Sequence, residues 1–486
     1  MDSTIDEDRG PDHVLHVEVK SSNQAYKDVL CQIYLPIRLD TDQVKVRLLP
    51  NEIDFSTLGR QREVSIQGGD EFTKVTSDRM ICGPSTQTCL GNGNFRSEIV
   101  AQPINGLLIQ SESKPDNLHI SADGVTFWIT RNSFATPATK LTSSDTSIAF
   151  ENTEEMEFCA FGQRYSFFFQ MGYDVRENGD ISSWPILVAK TDMDTKEKVN
   201  MDDSALNEKL YCLDDLLVLL SFGSQKRTRC IGWEINDGKH STTYYRGDFF
   251  LPSKAETGTI NFHDALVPES KIQDYLHLSS MRFESYENKI ALRNALNISL
   301  HNEGSIEQRF LSNFSALESL VHGFRRRNEL AGILCENRWG KLQKEIKKLI
   351  KNSKDPILET EERKRIYAKM GELNRVSLRD AYTGFCSDLS LPTEDLWPVF
   401  GGNGESGLSD IRNALIHGAE YPTHIDEAIA RAGFQLDILL KRSLLLVLGI
   451  DLSICKVHEA ELKFLYGAEG LRYSQDSETL YSFLNN

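Results

Sequence analysis

The chain has no apolar run long enough to cross a bilayer. Its longest such stretches, residues 213–222 and 438–450, are interrupted by Asp or by Lys and Arg, whereas a spanning helix needs about 18 or more apolar residues in succession. Residues 1–11 are acidic and polar and lack the basic-then-apolar order of a secretory leader. A cytoplasmic protein with no membrane partner is expected.

Paired cysteines are also missing. The nine cysteines (Cys31, Cys82, Cys89, Cys159, Cys212, Cys230, Cys335, Cys386 and Cys455) stand singly, and no C-x-x-C occurs. This argues against a disulfide framework and against a zinc site, and no metal or organic cofactor is expected. No pair of carboxylates stands at a spacing that suggests glycoside chemistry.

Nor is there an excess of base, since 54 Lys+Arg face 71 Asp+Glu for a net charge of −17. The deficit is uneven. From Met281 onward 27 Lys+Arg meet 29 Asp+Glu, so nearly all the acidity lies before that point. The bulk charge argues against broad, non-specific duplex binding but leaves room for a local basic site.

With 486 residues, 40% of them apolar and 26% charged, the chain is long enough for more than one core, and two main domains are expected. Residues 1–25 read as a flexible lead-in. From Asp28 the pattern changes to short alternating or apolar runs broken by turn formers, among them 107–110, 118–120, 125–130, 165–173, 181–189, 230–235 and 242–250. Asp123-Gly124, Asn178-Gly179 and Asn236-Asp237-Gly238 supply hairpin signals between neighbouring runs. Several hairpins at this spacing predict an antiparallel sandwich or barrel-like domain over residues 26–270. One buried helix, 213–222 and closed by Gly223, interrupts the strands.

From about residue 271 the pattern turns helical, which predicts a second, all-α domain over 271–455 and a tail over 456–486. Helices are expected at 286–300 and at 305–321, the latter with a Ser305/Gln308 capping box and an apolar stripe of Ile306, Phe310, Phe314, Leu317 and Val321. Residues 342–350 form an amphipathic basic helix, with Lys344, Lys347 and Lys348 among its cations. It fits either an RNA-tracking surface or a solvated face. Arg325 and Arg326, with His322 before them, follow the 305–321 helix and fit either a contact with a phosphate backbone or a solvated, charged helix end. A glycine-rich stretch, 401–404, leads flexibly into residues 408–418, and 425–448 is a long apolar helix.

Residues 408–418 hold the densest chemistry. Leu408, Ile411, Ala414 and Leu415 recur at helical spacing, and Gly418 is placed to close the helix. Its end carries Arg412, Asn413 and His417. A guanidinium forks onto phosphate oxygens and an imidazole titrates near neutral pH, so the set suits phosphodiester chemistry. Two readings stand on these residues alone, because a histidine at a helix C-terminus also complements the dipole. At roughly 100° per residue, Asn413 and His417 lie about 40° apart around the axis, and Arg412 and His417 about 140° apart. For Arg and His to meet one phosphate, the last turn distorts, the long Arg reaches around, or two copies of the helix meet; the last predicts a homodimer.

Arg412-Asn413-Ala414-Leu415-Ile416-His417-Gly418, preceded by the two helices around 292–300 and 310–321, resembles the HEPN family (higher eukaryotes and prokaryotes nucleotide-binding). The ribonuclease members of that family carry an Arg and, four to six residues later, a His on a small helical bundle. The resemblance covers roughly residues 280–450, and the layout is similar to ApeA-type anti-phage proteins, which join a β-rich domain to a C-terminal HEPN domain. It implies an α+β chain that ends in an all-α HEPN bundle. The implied activity is metal-independent endoribonuclease action in anti-phage defence by abortive infection, cleaving RNA by 2′-hydroxyl attack to leave a 2′,3′-cyclic phosphate. It further implies that Arg412, Asn413 and His417 are the catalytic residues, with Glu318 as a weaker acidic candidate. The implied partners are RNA, transfer RNA among the candidates, a second copy of the chain, and a phage-derived trigger at the N-terminal domain. The competing reading is a non-catalytic RNA- or nucleotide-binding module with a partner-docking β domain.

Overall fold

A computed structural model describes residues 11–22, 24–35, 44–50, 57–58, 60–89, 95–104, 106–112, 125–129, 156–175, 181–191, 203–236, 240–246, 265–300, 304–328, 332–353, 356–402, 404–418, 425–458 and 474–484. The chain divides into two compact units, Met1–Ser280 and Met281–Asn486. The first is β-rich and the second helical, an α+β arrangement. Among the described residues no helix is long and apolar enough to cross a membrane.

The first unit opens with β1 (His13–Lys20), β2 (Ala25–Tyr34), β3 (Lys45–Leu49), β4 (Glu63–Gly69), β5 (Thr73–Cys89) and β6 (Phe95–Pro103). These strands pair in the order β4-β1-β2-β3-β6-β5, and β4 pairs again with β5, so the set closes into a barrel. Strict alternation fills it. Leu15, Val17 and Val19 on β1, Val29, Cys31 and Ile33 on β2, and Val46 and Leu48 on β3 all belong to one core, because successive side chains of a strand point to opposite faces. Strand β5 pairs with three neighbours, β4, β6 and β7, and its register with β6 shifts between Cys82 and Ser85, around Gly83-Pro84, as expected of a bulge at a proline that cannot donate to the ladder.

The sheet continues from β5 through β7 (Gly106–Glu112), while β8 (Val125–Ile129), β9 (Met156–Ala160), β10 (Gln163–Val175), β11 (Ile181–Thr191), β12 (Cys230–Asn236) and β13 (His240–Arg246) complete it in the order β7-β13-β12-β8-β11-β10-β9. Every pairing is antiparallel. Helix α1 (Asp203–Ser224) interrupts the strands. The Arg246 guanidinium ties β13 to it through Asp214 at 3.1 and 3.2 Å.

Three expectations change here. Strand β1 occupies much of the stretch read as a lead-in, because Leu15, Val17 and Val19 alternate too briefly among polar residues to stand out. Helix α1 runs past Gly223 and closes at Gln225, which takes a left-handed φ of 54°. Gly223 instead lets the Tyr275 ring press on the helix, since a Cβ there would lie 2.8 Å from it. Residues 118–120 and Asp123-Gly124 lie outside the described residues, and β8 pairs with β11 and β12.

The boundary between the units falls within α2 (Ile272–Ser285). The second unit then holds α3 (Lys289–Ser299), α4 (Ile306–Arg327), α5 (Glu336–Lys351), α6 (Thr360–Lys369), α7 (Leu378–Leu389), α8 (Leu408–Ile416), α9 (Asp426–Val447) and α10 (Ser474–Leu484). Its core is α4 against α3, α7 and α9, with Leu292, Leu296, Phe310, Phe314, Leu317, Val321, Phe385, Leu436, Leu440 and Leu444 buried. The Ser305/Gln308 capping box is present at α4.

The expected helix over 286–300 begins only at Lys289, because the Asn288 side chain accepts from the Ala291 N–H and stops it there. Ile306, assigned to the buried stripe, is the first residue of α4 and is 40% exposed. The stretch read as a tail contains α10, which buries Leu480 and bonds Ser477 Oγ to the Ser406 carbonyl at 2.9 Å. The glycine-rich 401–404 stretch, read as flexible, contains a tight turn in which Gly402 and Glu405 exchange backbone bonds of 3.1 Å.

Candidate functional site

The site is built where α8 meets α4. Two glycines set the start of α8: a Cβ on Gly407 would lie 2.2 Å from the Gly401 nitrogen, so the two backbone segments cross only because Gly407 has no side chain. The Gly407 N–H donates to Asp410 Oδ2 at 2.8 Å and caps the first turn. Leu408 and Ser409 donate backbone bonds to Pro398 and Val399 at 3.0 and 2.8 Å. Trp397, fully buried, holds this approach in place by donating from Nε1 to the Ser406 carbonyl at 2.7 Å and from its backbone N–H to Gln435 Oε1 at 2.7 Å.

Leu408 and Ile411 are buried, while Ala414 and Leu415 are half-buried, which orients the helix so that Arg412 reaches α4. The Arg412 Nη2 donates to Glu318 Oε2 at 3.3 Å, and Nη1 donates to Asn413 Oδ1 at 3.0 Å. The guanidinium also lies over the Phe314 ring, 5.9 Å from its centroid. Phe314 and Glu318 stand four residues apart on α4 and so share a face. A third residue at the same spacing, His322, continues that face. Burial and the nearby Arg325 and Arg375 hold its imidazole below the ordinary value, and Glu318 opposes them. Arg325 is half-buried and donates to the Val376 carbonyl at 3.3 Å.

At the other end of α8 the His417 N–H donates to the Asn413 carbonyl at 3.0 Å, and Gly418 takes the left-handed φ of +74° that a closing glycine supplies. Asn413, Ile416, His417 and Gly418 are exposed. Among the described residues no hydrogen bond, ion pair or ring contact joins the Arg412 guanidinium to His417. The geometry thus brings together Arg412, Asn413 and Glu318, and leaves the His417 side chain at the surface. The Asn413 side chain is bonded to Arg412 and not to His417.

Of the basic candidates, Arg325 and Arg326 lie on α4 beyond Glu318. Lys344, Lys347 and Lys348 lie exposed on α5, whose packing partner is α6; Lys347 sits over the Tyr367 ring, 6.0 Å from its centroid. Nothing among the described residues connects these lysines to Arg412 or Glu318. Sequence reasoning missed Phe314 as the platform for Arg412, and Arg375 as a neighbour of His322. The i, i+4 spacing of Phe314, Glu318 and His322 on one helix was the available signal.

The chain matches no family model, no curated protein and no solved structure.

Proposed function

We propose that the protein is a HEPN-type endoribonuclease that acts in anti-phage defence. The observation that carries this reading is the ion pair between Glu318 and Arg412, which couples the Arg-Asn-x-x-x-His helix end to the preceding long helix and fixes the guanidinium on the Phe314 face. A guanidinium with a planar fork, half-exposed and anchored on one side, can take a phosphate oxygen by exchanging a carboxylate bond for a phosphate bond. His417, exposed and unpartnered among the described residues, is free to move a proton. The substrate's own 2′-hydroxyl attacks the adjacent phosphorus, His417 acts as general base or acid, and Arg412 stabilises the charge that gathers on the phosphate oxygens. No step requires a metal, and the product is a 2′,3′-cyclic phosphate. Arg325 and His322, further along the same face of α4, extend the surface along which the RNA backbone runs.

Arg412 faces α4 while His417 faces solvent, and the large apolar Ile416 beside it is 52% exposed. A second copy of the helix end, covering Ile416, supplies the His that meets each Arg, which gives a homodimer with a composite site. The β-rich unit carries the sensing or restraining role, since an unregulated ribonuclease kills its host.

The test is cleavage of RNA by the full chain. Wild type cuts RNA and leaves DNA intact, while Arg412→Ala and His417→Ala each lose about 100-fold or more in rate. Equal cleavage of DNA, or full activity of His417→Ala, overturns the reading. One observation favours a second reading: Arg412 already has Glu318 and Asn413 as partners, an arrangement that also suits a module that binds RNA without cutting it. RNA binding that survives His417→Ala, with no product from either protein, selects that alternative.

A further inference from the structure

The C-terminal end of α4 borders a cavity of about 440 Å³ within the second unit, inside the size range of small-molecule sites. None of Glu318, Arg412, Asn413 and His417 lines it. Its inner wall is apolar. Phe324 and Phe385 meet edge to face with centroids 5.9 Å apart, and Leu446 and Val447 continue the wall from α9. Two glycines shape it: a Cβ on Gly323 would lie 2.9 Å from the Tyr286 hydroxyl, and one on Gly449 would lie 3.1 Å from Arg282 Nε. Their bare backbones let a phenol and a guanidinium close over the space.

The rim is polar and cationic, with Arg282, Arg326 and Arg327 against Glu287 and Asp388. Arg327 is engaged, donating to Asp388 Oδ2 at 3.2 Å and lying over the Phe324 ring at 5.9 Å. Among the described residues neither Arg282 nor Arg326 has a carboxylate partner. With Arg327 held by Asp388, Arg282 and Arg326 outnumber the remaining rim carboxylate, Glu287, so the rim attracts an anionic group that offers several acceptor oxygens, carried on an aromatic body that packs against the apolar wall of Phe324, Phe385, Leu446 and Val447. Burial pushes the Tyr286 phenol up, so at neutral pH it remains a hydrogen-bond donor.

We propose that this cavity binds a small phosphate monoester carried on a flat ring. The excess of guanidiniums over carboxylates at the rim disfavours cationic ligands, and a concave space of this volume holds one such molecule, not a continuous strand. The site stands apart from the Arg412 motif and does not depend on what that motif does.

Isothermal titration of the full chain tests it with four probes: phenyl phosphate, adenosine 5′-monophosphate, adenosine and inorganic phosphate. Phenyl phosphate or the monophosphate binds once per chain. Adenosine and inorganic phosphate, each lacking one half of the recognised group, bind about tenfold or more weaker. Binding of the monophosphate in preference to phenyl phosphate identifies a nucleotide as the natural source of the phosphate, and the reverse order identifies a smaller aryl ester. The double variant Arg282→Gln/Arg326→Gln, with an unchanged circular dichroism spectrum, loses about tenfold or more in affinity, whereas Arg412→Ala binds as wild type does. The proposal is overturned if neither ester binds at millimolar concentration, if the double variant binds unchanged, or if binding disappears in Arg412→Ala.

Discussion

Helices α9 and α5 read alike in the sequence, each with apolar residues every three or four positions, and they end in opposite environments. Leu436, Leu439, Leu440 and Leu444 of α9 are buried against α4 and its neighbours. On α5 no residue is buried; Leu342 and Leu349 are 40% and 72% exposed, and its packing partner is α6, which also buries none. The difference is not one of helical period. On α5 the lysines at 341, 344, 347, 348 and 351 confine the apolar positions to a narrow stripe, which a single short helix cannot cover. On α9 apolar residues spread over enough of the circumference to meet several helices at once. Periodicity states that a helix has an apolar side, and only the assembled chain states whether something lies on it.

The contrast is sharpest at Arg442, the fully buried guanidinium of α9. It donates to both oxygens of Asp395 at 2.6 and 2.7 Å, to the Val457 carbonyl at 2.8 Å and to the Pro392 carbonyl at 3.0 Å. Removing its carboxylate with Asp395→Ala strands a buried charge, and urea unfolding of the full chain is expected to show a loss of about 3–5 kcal/mol. A loss below about 1 kcal/mol would mean that water reaches Arg442 and that α9 is less enclosed than its packing indicates. Truncating Leu440→Ala leaves a cavity and is expected to cost about 2–5 kcal/mol in the same measurement.

A smaller, pH-dependent effect is expected on α4, midway between these extremes. Burial, then Arg325 and Arg375, hold the half-buried His322 imidazole below its ordinary value of about 6.5, so the folded chain resists protonation more than the unfolded chain does. The corresponding stability is present above that value and is lost as the pH falls below it towards the folded value. His322→Gln should flatten the slope of stability against pH between about 7 and 5; an unchanged slope would place the titration elsewhere. The smallest effect belongs to α5, where Leu349→Ala is expected to change stability by less than about 0.5 kcal/mol. A loss as large as that at Leu440 would show that α5 is covered in solution, by another copy or another molecule.

The helix that carries the candidate site was legible before any fold was known. Leu408, Ile411 and Gly418 announce a short helix with a glycine stop, and that is the helix found. Its angular argument, which sets Arg412 and His417 on different sides, is reflected in an Arg that turns to α4 and a His left at the surface. Glu318 stands on the partner helix, bonded to Arg412. The role of Asn413 was not legible, because the choice between bonding His417 and bonding Arg412 depends on where the guanidinium is drawn by Glu318 and Phe314, residues nearly a hundred positions earlier. The antiparallel hairpins β10-β11 and β12-β13 could be placed from alternation and turn signals. Barrel closure could not, since β1 with β4 and β4 with β5 join through a register that no local pattern states.

By itself the sequence determined the local elements: the periods of the strands and helices, the capping box at Ser305 and the glycine that ends α8. These follow from interactions within a turn or a hairpin, where the chain has few alternatives. The tertiary structure decided which stripes are covered, where the charge of Arg442 is neutralised, that Arg412 rests on Glu318, and that Arg282 and Arg326 border one cavity. Each depends on bringing together residues far apart in the chain, and the free energy that selects among such pairings comes from packing and desolvation of whole surfaces, which no short stretch of sequence contains.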